Sequence, residues 1–216
     1  MEESQGRAGD WLAVDDAGAG SASFGPGSSS DSWDRIVEDN QNYIFRLAFH
    51  LAGNIHEAED VTQEAFMRAF EHRETFRGDA SMRTWLSRIA VNVYLASRKR
   101  SSRVKAAGVA GEEGPFAATT DYLDSPESLV IRGEFMRCIH YLLQHGCRPS
   151  ERVILVMRDL NGMRYDEMAR VLGITLGAVK TRLHRARRAM RDLLLESGCS
   201  GLVKGGRCTC EEVLDL

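Results

Sequence analysis

The chain lacks the features that would send it across or into a membrane. No apolar run approaches the roughly 18 residues that a membrane-spanning helix needs. The N-terminus has no cationic start followed by an apolar core of the kind found in signal peptides. We therefore expect a cytoplasmic protein without membrane insertion. In that compartment its five cysteines are expected to be reduced thiols or metal ligands rather than disulfides.

Signatures of common enzymes are missing as well. The sequence contains no phosphate-binding glycine loop, no nucleophile elbow and no pair of carboxylates placed for acid–base work. Its Cys-x-Cys pair lacks the strand context of a thioredoxin-like redox site. We predict that the protein is not an enzyme and requires no cofactor.

Acidic residues are absent from one stretch, and that absence is more informative than the net charge of −3. Residues 178–191 contain six lysines or arginines and no acid. The acids collect elsewhere, notably in the first 31 residues, where six of them accompany a single arginine. The average charge therefore hides basic patches that suit an anionic partner.

The basic stretch lies within a helix-turn-helix pattern. A short helix, about Tyr165 to Leu172, is followed by Gly173, a residue that easily takes the left-handed conformation in which helices end. Thr175 can cap the next helix. Val179 and Leu183 begin an apolar stripe at helical spacing, which leaves a basic face opposite. A helix of this kind enters the major groove, so we predict DNA binding.

The first half of the chain reads as three further helices. An apolar stripe runs from Trp33 to Leu51. Asn54 and Glu57 are spaced as a capping arrangement for a second helix, about Ile55 to Glu74. A third helix is predicted from about Met82 to Arg103.

These patterns predict an all-α fold of two small helical domains joined by a flexible linker. The predicted segments are a disordered acidic tail (1–31), a first helical domain (32–105), the linker (106–125), a helix-turn-helix domain that starts at Pro126 (126–198) and a cysteine-containing tail (199–216).

Two separate segments resemble the bacterial extracytoplasmic-function (group IV) RNA polymerase sigma factors. The first reads EDVTQEAFMRAF at 59–70, followed by FRG at 76–78 and TWLSRIAVN at 84–92. It is similar to sigma region 2. The second, residues 165–190, is similar to sigma region 4. Both occur in the family's order and at about its spacing, and together they are far more specific than one helix-turn-helix.

The resemblance implies a partner for each segment. Asp60, Gln63 and Glu64 fall where the family binds core RNA polymerase, and promoter DNA would be contacted at its −10 and −35 elements. An anti-sigma factor is a further partner that the resemblance allows. The implied −35 contacts are Lys180, Thr181, His184, Arg185 and Arg188, and the implied −10 contacts are Arg77, Ser87, Arg88, Asn92 and Arg98.

The C-terminal tail carries three thiols within about a dozen residues: Cys199, Cys208 and Cys210. Thiolates suit a soft metal ion such as zinc, copper(I) or cadmium. Some sigma factors of this group have a cysteine-rich extension that binds metal and controls activity, and this tail resembles a short version of it. A fourth ligand would have to come from Cys138, Cys147 or a histidine. The alternative is a disordered tail with incidental cysteines.

A second functional class also fits the helix-turn-helix. The chain could be an autonomous regulator that binds duplex DNA without polymerase. The segment that contains Asp60, Gln63 and Glu64 argues against this alternative, because such a regulator has no use for a polymerase-docking surface. Binding to core polymerase separates the two hypotheses.

Overall fold

The computed structural model describes residues 31–106, 136 and 138–196, and this part of the chain is helical, with no strand. The predicted N-terminal tail up to residue 30, the linker from residue 107, the helix start at Pro126 and the cysteine tail lie outside it. None of the helices in the described ranges is long and apolar enough to cross a bilayer.

Three helices form an N-terminal unit. They are α1 (Asp31–Ala52), α2 (Ile55–Glu71) and α3 (Met82–Ala106), and each packs against the other two. The second helix ends earlier than predicted, at Glu71, because a 3₁₀ turn, Arg73–Thr75, takes over. The Thr75 amide and hydroxyl both donate to the His72 carbonyl and hold that turn.

The predicted cap of α2 is confirmed, and it also ties the helices together. The Asn54 side chain accepts a hydrogen bond from the Glu57 amide at 2.8 Å. The Glu57 carboxylate accepts a hydrogen bond from Arg98 of α3 at 2.8 Å, and Arg98 donates to the Ala52 carbonyl at 3.1 Å. One arginine thus satisfies a backbone carbonyl at the end of α1 and pairs with a carboxylate in the first turn of α2.

The remaining helices form a C-terminal unit. They are α4 (138–145), α5 (Pro149–Leu155), α6 (Tyr165–Leu172) and α7 (Leu176–Glu196), and α5 continues as a π-helical turn, Val156–Leu160. Gly173 follows α6 with φ of +62°, as predicted. The π turn was not predicted, because its residues follow the same apolar pattern as an ordinary α-helix.

The two units share one hydrophobic core. The larger cluster of buried apolar side chains runs without interruption from α1, α2 and α3 into α4, α5, α6 and α7. A domain normally has its own contiguous core, so the units behave as one body in this structure. The cluster includes Leu47, Leu51, Val91, Tyr94, Leu143, Ile154, Met157, Met168, Leu183 and Met190.

A buried arginine crosses the boundary between the units. Arg152 of α5 is 4% exposed. Its guanidinium donates to the Tyr94 hydroxyl at 2.7 Å and to the Leu51 carbonyl at 3.3 Å, both in the N-terminal unit. It also donates to Gln144 and to the Leu143 carbonyl of its own unit. Burial lowers the pKa of Arg152 from its ordinary value.

The turn between α1 and α2 is shaped to receive the other unit. Gly53 has φ of +84°, a conformation that glycine takes at little cost. A Cβ atom there would lie 2.7 Å from the Gln144 side chain. The bare backbone lets Gln144 come close enough to donate to the Leu51 carbonyl at 3.0 Å.

A pair of histidines forms a second contact across the boundary. His50 Nδ1 of α1 lies 2.9 Å from His140 Nε2 of α4. Burial lowers the pKa of each imidazole to about 4, with a smaller contribution from Arg46 to His50 and from His50 to His140. Both rings are therefore neutral at pH 7.

This pair predicts a loss of stability in acid. The pKa of each ring is lowered in the folded state, so the unfolded chain binds protons between about pH 6.5 and 4 where the folded protein does not. We expect the free energy of unfolding to fall as pH falls through that window, by up to about 1.4 kcal/mol per pH unit for each histidine. Denaturant unfolding at a series of pH values measures the slope.

Two variants isolate the contribution of this pair. His50→Gln combined with His140→Gln is expected to flatten the slope, whereas His184→Gln, at an exposed position on α7, is expected to leave it unchanged. A double variant with the same slope as the natural chain would show that these rings do not cause the acid sensitivity.

Candidate nucleic-acid interface

The basic face of α7 is exposed, while its apolar stripe faces the core. Val179, Leu183, Ala186 and Met190 are buried. The predicted DNA contacts all lie on the outer surface of the helix: Lys180, Thr181, His184, Arg185 and Arg188. The structure therefore presents the predicted residues together, in a geometry that suits a major groove.

Local contacts fix where α7 begins. The Thr175 hydroxyl accepts a hydrogen bond from the Ala178 amide at 3.2 Å, and its carbonyl accepts one from the Val179 amide at 3.0 Å. The prediction that Thr175 caps this helix is confirmed. The Thr181 hydroxyl donates to the Gly177 carbonyl at 3.0 Å, so in this structure it offers its oxygen to an incoming donor.

One arginine of the basic run has a structural role instead. Arg187 Nε donates to the Asp159 carboxylate at 3.1 Å, and a second nitrogen of the guanidinium contacts the other carboxylate oxygen. The hydrogen bond that Arg187 donates to the Asp159 carboxylate raises the pKa of Arg187 above its ordinary value. Since Asp159 lies on the π turn, this pair orients the DNA-facing helix relative to α5. No sequence pattern links the two residues.

A second surface lies on α2. Asp60 and Gln63 are exposed, and the half-exposed Glu64 accepts a hydrogen bond from Arg68 at 2.7 Å. Two large apolar side chains extend this surface: Met67 is 53% exposed and Phe70 is 43% exposed. Acidic and apolar groups side by side are typical of a protein-docking surface.

Phe70 was not among the predicted site residues. Its ring meets Trp33 edge to face at 5.4 Å, and the Arg73 guanidinium lies 4.4 Å from its centroid. Met67 follows Glu64 by three residues, so helical spacing places it on the same side of α2 as Glu64. Only the structure shows that both side chains stay uncovered in the described part of the chain.

A third surface combines basic residues with aromatic rings. Arg77 and Arg88 are exposed and Asn92 is half-buried. Nearby, the half-buried Trp85 packs against Phe76 with ring centroids 5.3 Å apart. Trp85 also packs against a cluster of buried side chains from α1, α2 and α3. Arginines next to aromatic faces are suited to a nucleic-acid strand whose bases are unpaired.

Two predicted −10 contacts do not belong to this surface. Ser87 is fully buried, and its hydroxyl donates to the Arg83 carbonyl at 2.7 Å. Arg98 is held by Glu57 and by the end of α1, as described above. The helical wheel could not reveal either fact, because both depend on how α3 packs against its neighbours.

The predicted metal ligands of the tail lie outside the described residues. Within those residues, no group of three or more potential ligands is close enough to hold a metal ion. Cys138 and Cys147, considered as a fourth ligand, are both buried. Burial also raises the pKa of Cys147, which disfavours the thiolate form that binds metal.

Comparison with known families matches two parts of this chain. Sigma-70 region 2 matches residues 36–104, which span most of the N-terminal unit. Sigma-70 region 4 matches residues 148–190, which contain α5, α6 and most of α7. The matched ranges carry the α2 surface and the basic face of α7.

Similarity extends to whole proteins. The chain is 31% identical over 188 residues to the ECF RNA polymerase sigma factor SigE of Mycolicibacterium smegmatis, covering 86% of this chain and 71% of that protein. It is 33% identical over 168 residues to the ECF RNA polymerase sigma factor SigW of Bacillus subtilis, covering 76% of this chain and 89% of that protein.

Solved structures share the fold. The sigma factor RpoE of Bartonella quintana, in complex with the anti-sigma factor NepR, aligns with a TM-score of 0.59 at 23% identity, over 76% of this chain and 97% of that one. CnrH, in complex with the cytosolic domain of CnrY, aligns with a TM-score of 0.52 at 22% identity, over 76% of this chain and 88% of that one.

Three arginines of α7 have different predicted effects on duplex binding. Arg188→Ala is expected to weaken binding evenly across sequences and to reduce the slope of log K against log salt by about 0.9, the loss of one phosphate contact. Arg185→Ala is expected to cost about 1–3 kcal/mol of discrimination between target and altered duplexes, as for a bidentate base contact.

Arg187→Ala serves as the matched control, because this side chain is engaged by Asp159. It is expected to leave the salt slope unchanged and to lower the melting temperature slightly, since a surface ion pair contributes roughly 0–1 kcal/mol. Salt titrations monitored by fluorescence anisotropy measure duplex binding by all three arginine variants. A reduced salt slope for Arg187→Ala together with an unchanged one for Arg188→Ala would contradict the assignment of the face.

Proposed function

We propose that this chain, which belongs to the extracytoplasmic-function family of RNA polymerase sigma factors, directs core RNA polymerase to promoters by reading the −10 element with its N-terminal unit and the −35 element with its C-terminal unit. Proteins of this family are transcription factors. The polymerase supplies the nucleotidyl-transfer chemistry, so this chain needs no catalytic residue of its own.

The proposal depends chiefly on one observation. A single chain exposes an acidic and apolar surface on α2, a basic and aromatic surface around Arg88, and the basic face of α7. The two nucleic-acid surfaces are on different units, as reading two separated DNA elements requires. The α2 surface has the opposite charge, which fits a basic protein partner and repels DNA.

The α7 helix supports the −35 role. Lys180, Thr181, His184 and Arg185 lie towards the start of the helix, where recognition helices meet base edges. Arg188 lies one turn further on and is placed for a phosphate. Base contacts give specificity, and phosphate contacts fix the register of the protein on the duplex.

We assign recognition of the −10 element to Arg77, Arg88 and Asn92, together with the nearby rings of Trp85 and Phe76. Separating the strands of the −10 element requires that unpaired bases be held, and aromatic faces stack on bases of any sequence. Arginines track the phosphates of the separated strand. Ser87 and Arg98 support α3 from within and are not included in this surface.

An autonomous regulator would need only α6 and α7. Such a protein would not need the exposed Met67 and Phe70 beside Asp60. Family membership also favours the hypothesis of a sigma factor. Like the family member crystallised with the anti-sigma factor NepR, this chain is proposed to be controlled by an anti-sigma factor. We propose that the chain acts in the cytoplasm, where it would meet RNA polymerase and the chromosome.

We further propose that the C-terminal cysteines bind one soft metal ion. The observation behind this proposal is the density of thiols at Cys199, Cys208 and Cys210 in a chain with only five. Ligand thiols must lose their protons, so metal binding depends on pH. Because the ion would hold several thiols together, metal binding also couples metal concentration to the conformation of the tail. Residue 199 follows the end of α7 at Glu196 by three positions, so a metal-bound tail would lie near the DNA-binding unit.

A charge reversal tests the polymerase surface. Asp60→Lys with Glu64→Lys is expected to weaken binding to core polymerase at least tenfold, because like charges would then face a basic partner. The matched control is Glu38→Lys with Asp39→Lys, which makes the same charge change at exposed positions of α1. Gel-shift assays or biolayer interferometry with core enzyme measure the affinity of both double variants. Equal affinities for the two double variants would reject the α2 surface as the docking site.

Metal content tests the tail. The reduced full chain is expected to retain about one zinc, copper(I) or cadmium ion after dialysis, and Cys208→Ser with Cys210→Ser is expected to abolish retention. Cys138→Ala is the control, because that thiol is buried in the core. The double serine variant is also expected to change promoter output without changing core binding. The proposed metal-binding role would be rejected if the natural chain retained no metal and the double serine variant had unchanged promoter output.

A further inference from the structure

An acidic segment near the N-terminus is not used by any of the proposed contacts with polymerase or DNA. Residues 10–16 read DWLAVDD, which places one indole and two aliphatic side chains between three carboxylates. Acidic segments usually have too little apolar surface to bury, whereas this one carries an aromatic ring that gains free energy by packing. Such a segment is suited to a surface that offers both cations and rings.

Of the three surfaces described, only the one around Arg88 offers both. The Phe76 and Trp85 rings have centroids 5.3 Å apart. Arg77 follows the first ring in sequence, and Arg88 follows the second by about one helical turn. The α7 helix has cations but no Phe, Tyr or Trp. The apolar side chains exposed on α2 lie among carboxylates such as that of Glu64, which repel an acidic segment.

The N-terminal segment joins the helices beside this basic and aromatic surface. Trp33, two residues after the start of α1 at Asp31, packs against the same cluster of buried side chains as Trp85. Residues 17–30 connect the acidic segment to α1, and nine of these fourteen residues are glycine or serine. A chain of that length and composition spans about 20 Å on average. The acidic segment is therefore tethered within reach of the surface.

We propose that residues 10–16 occupy the basic and aromatic surface before DNA binds, as a mimic of single-stranded DNA. Trp11 takes the place of an unpaired base against the two rings, and the three carboxylates take the place of phosphates beside the two arginines. This inference rests on the proposed function, because it assigns the surface to an unpaired strand.

Tethering makes a weak contact effective. A segment held by a short linker meets its surface at an effective concentration on the order of 1 mM. One stacked ring and a few screened ion pairs are each modest interactions. An intrinsic dissociation constant of about 0.1 mM is nevertheless enough to keep the surface occupied in roughly nine molecules of ten.

Occupancy of this kind discriminates between sources of single strand. A promoter strand separated by polymerase is held next to the surface, and its high local concentration lets it displace the segment. A single strand in solution has only its bulk concentration, and its apparent affinity falls by the fraction of molecules whose surface is unoccupied. The segment therefore suppresses binding to strands that polymerase has not opened.

Trp11→Ala in the full chain tests the proposal. The probe is a fluorescein-labelled single strand of about twelve deoxynucleotides with mixed sequence, because stacking tolerates any base. Loss of the ring should empty the surface, so we expect the dissociation constant for this probe to fall about fivefold to tenfold. Affinity for a mixed-sequence duplex, which α7 binds, should not change. Fluorescence anisotropy measures both affinities.

Two further variants separate the ring from the charges. Phe24→Ala is the matched control, because Phe24 has no acidic neighbour within five residues, and it should leave binding of the single strand unchanged. Asp10→Asn with Asp15→Asn and Asp16→Asn should tighten binding of the single strand. That gain should shrink as salt is added, because salt already screens the ion pairs of the natural chain.

A peptide measures the contact directly. A peptide of residues 8–18, titrated into the Trp11→Ala chain by calorimetry, should bind and should displace the labelled single strand. The same peptide carrying Trp11→Ala should do neither. Adding Arg88→Ala to the chain should weaken peptide binding at least threefold, which a peptide site on α7 would not show.

Two results would overturn the proposal. One is a Trp11→Ala chain that binds the single strand no better than the natural chain and does not bind the peptide. The other is a gain in duplex affinity with unchanged affinity for the single strand, which would place the segment on α7. Failure of the proposed function looks different: no variant would bind core polymerase or the single strand, while calorimetry would still report whether the peptide depends on Arg88.

Discussion

The guanidinium of Arg152 is the interaction on which the arrangement of this molecule depends. It is buried without a carboxylate partner among the described residues, and its donors are divided between two units that a sequence comparison matches separately. Around it, apolar side chains of both units merge into one core. Burying a charge costs free energy unless its donors are satisfied. The neighbouring oxygens of both units are therefore needed to satisfy this arginine.

This constraint separates two tasks within the chain. Side chains on the inner faces of the helices hold the units together, whereas those on the outer faces are the ones proposed to bind partners. Neighbouring residues often differ in this respect: Arg187 pairs with Asp159 while Arg188 is exposed, and Ser87 is buried while Arg88 is exposed. A sigma factor needs this division, because its surfaces must stay available in a protein that is itself compact.

The local features of the fold were predictable because they depend on neighbours in sequence. The Asn54 cap, the turn at Gly173, the cap at Thr175 and the apolar stripe of α7 follow from short-range stereochemistry. The long-range contacts were missed because their partners lie far apart in the chain. Arg152 lies 58 residues from Tyr94, and Arg98 lies 41 residues from Glu57. Patterns of hydrophobicity cannot show which exposed-looking arginine will be enclosed by a helix from the other unit.

We propose that one chain reads two promoter elements at a fixed separation when it is bound to core polymerase. Transcription by core polymerase and this chain, from promoters whose spacer is varied one base pair at a time, tests it most directly. Each added base pair moves the −35 element by about 3.4 Å and turns it by about 35° around the duplex. Transcription output is expected to peak at one spacing and to fall steeply on both sides. Output that does not depend on the spacer would contradict it.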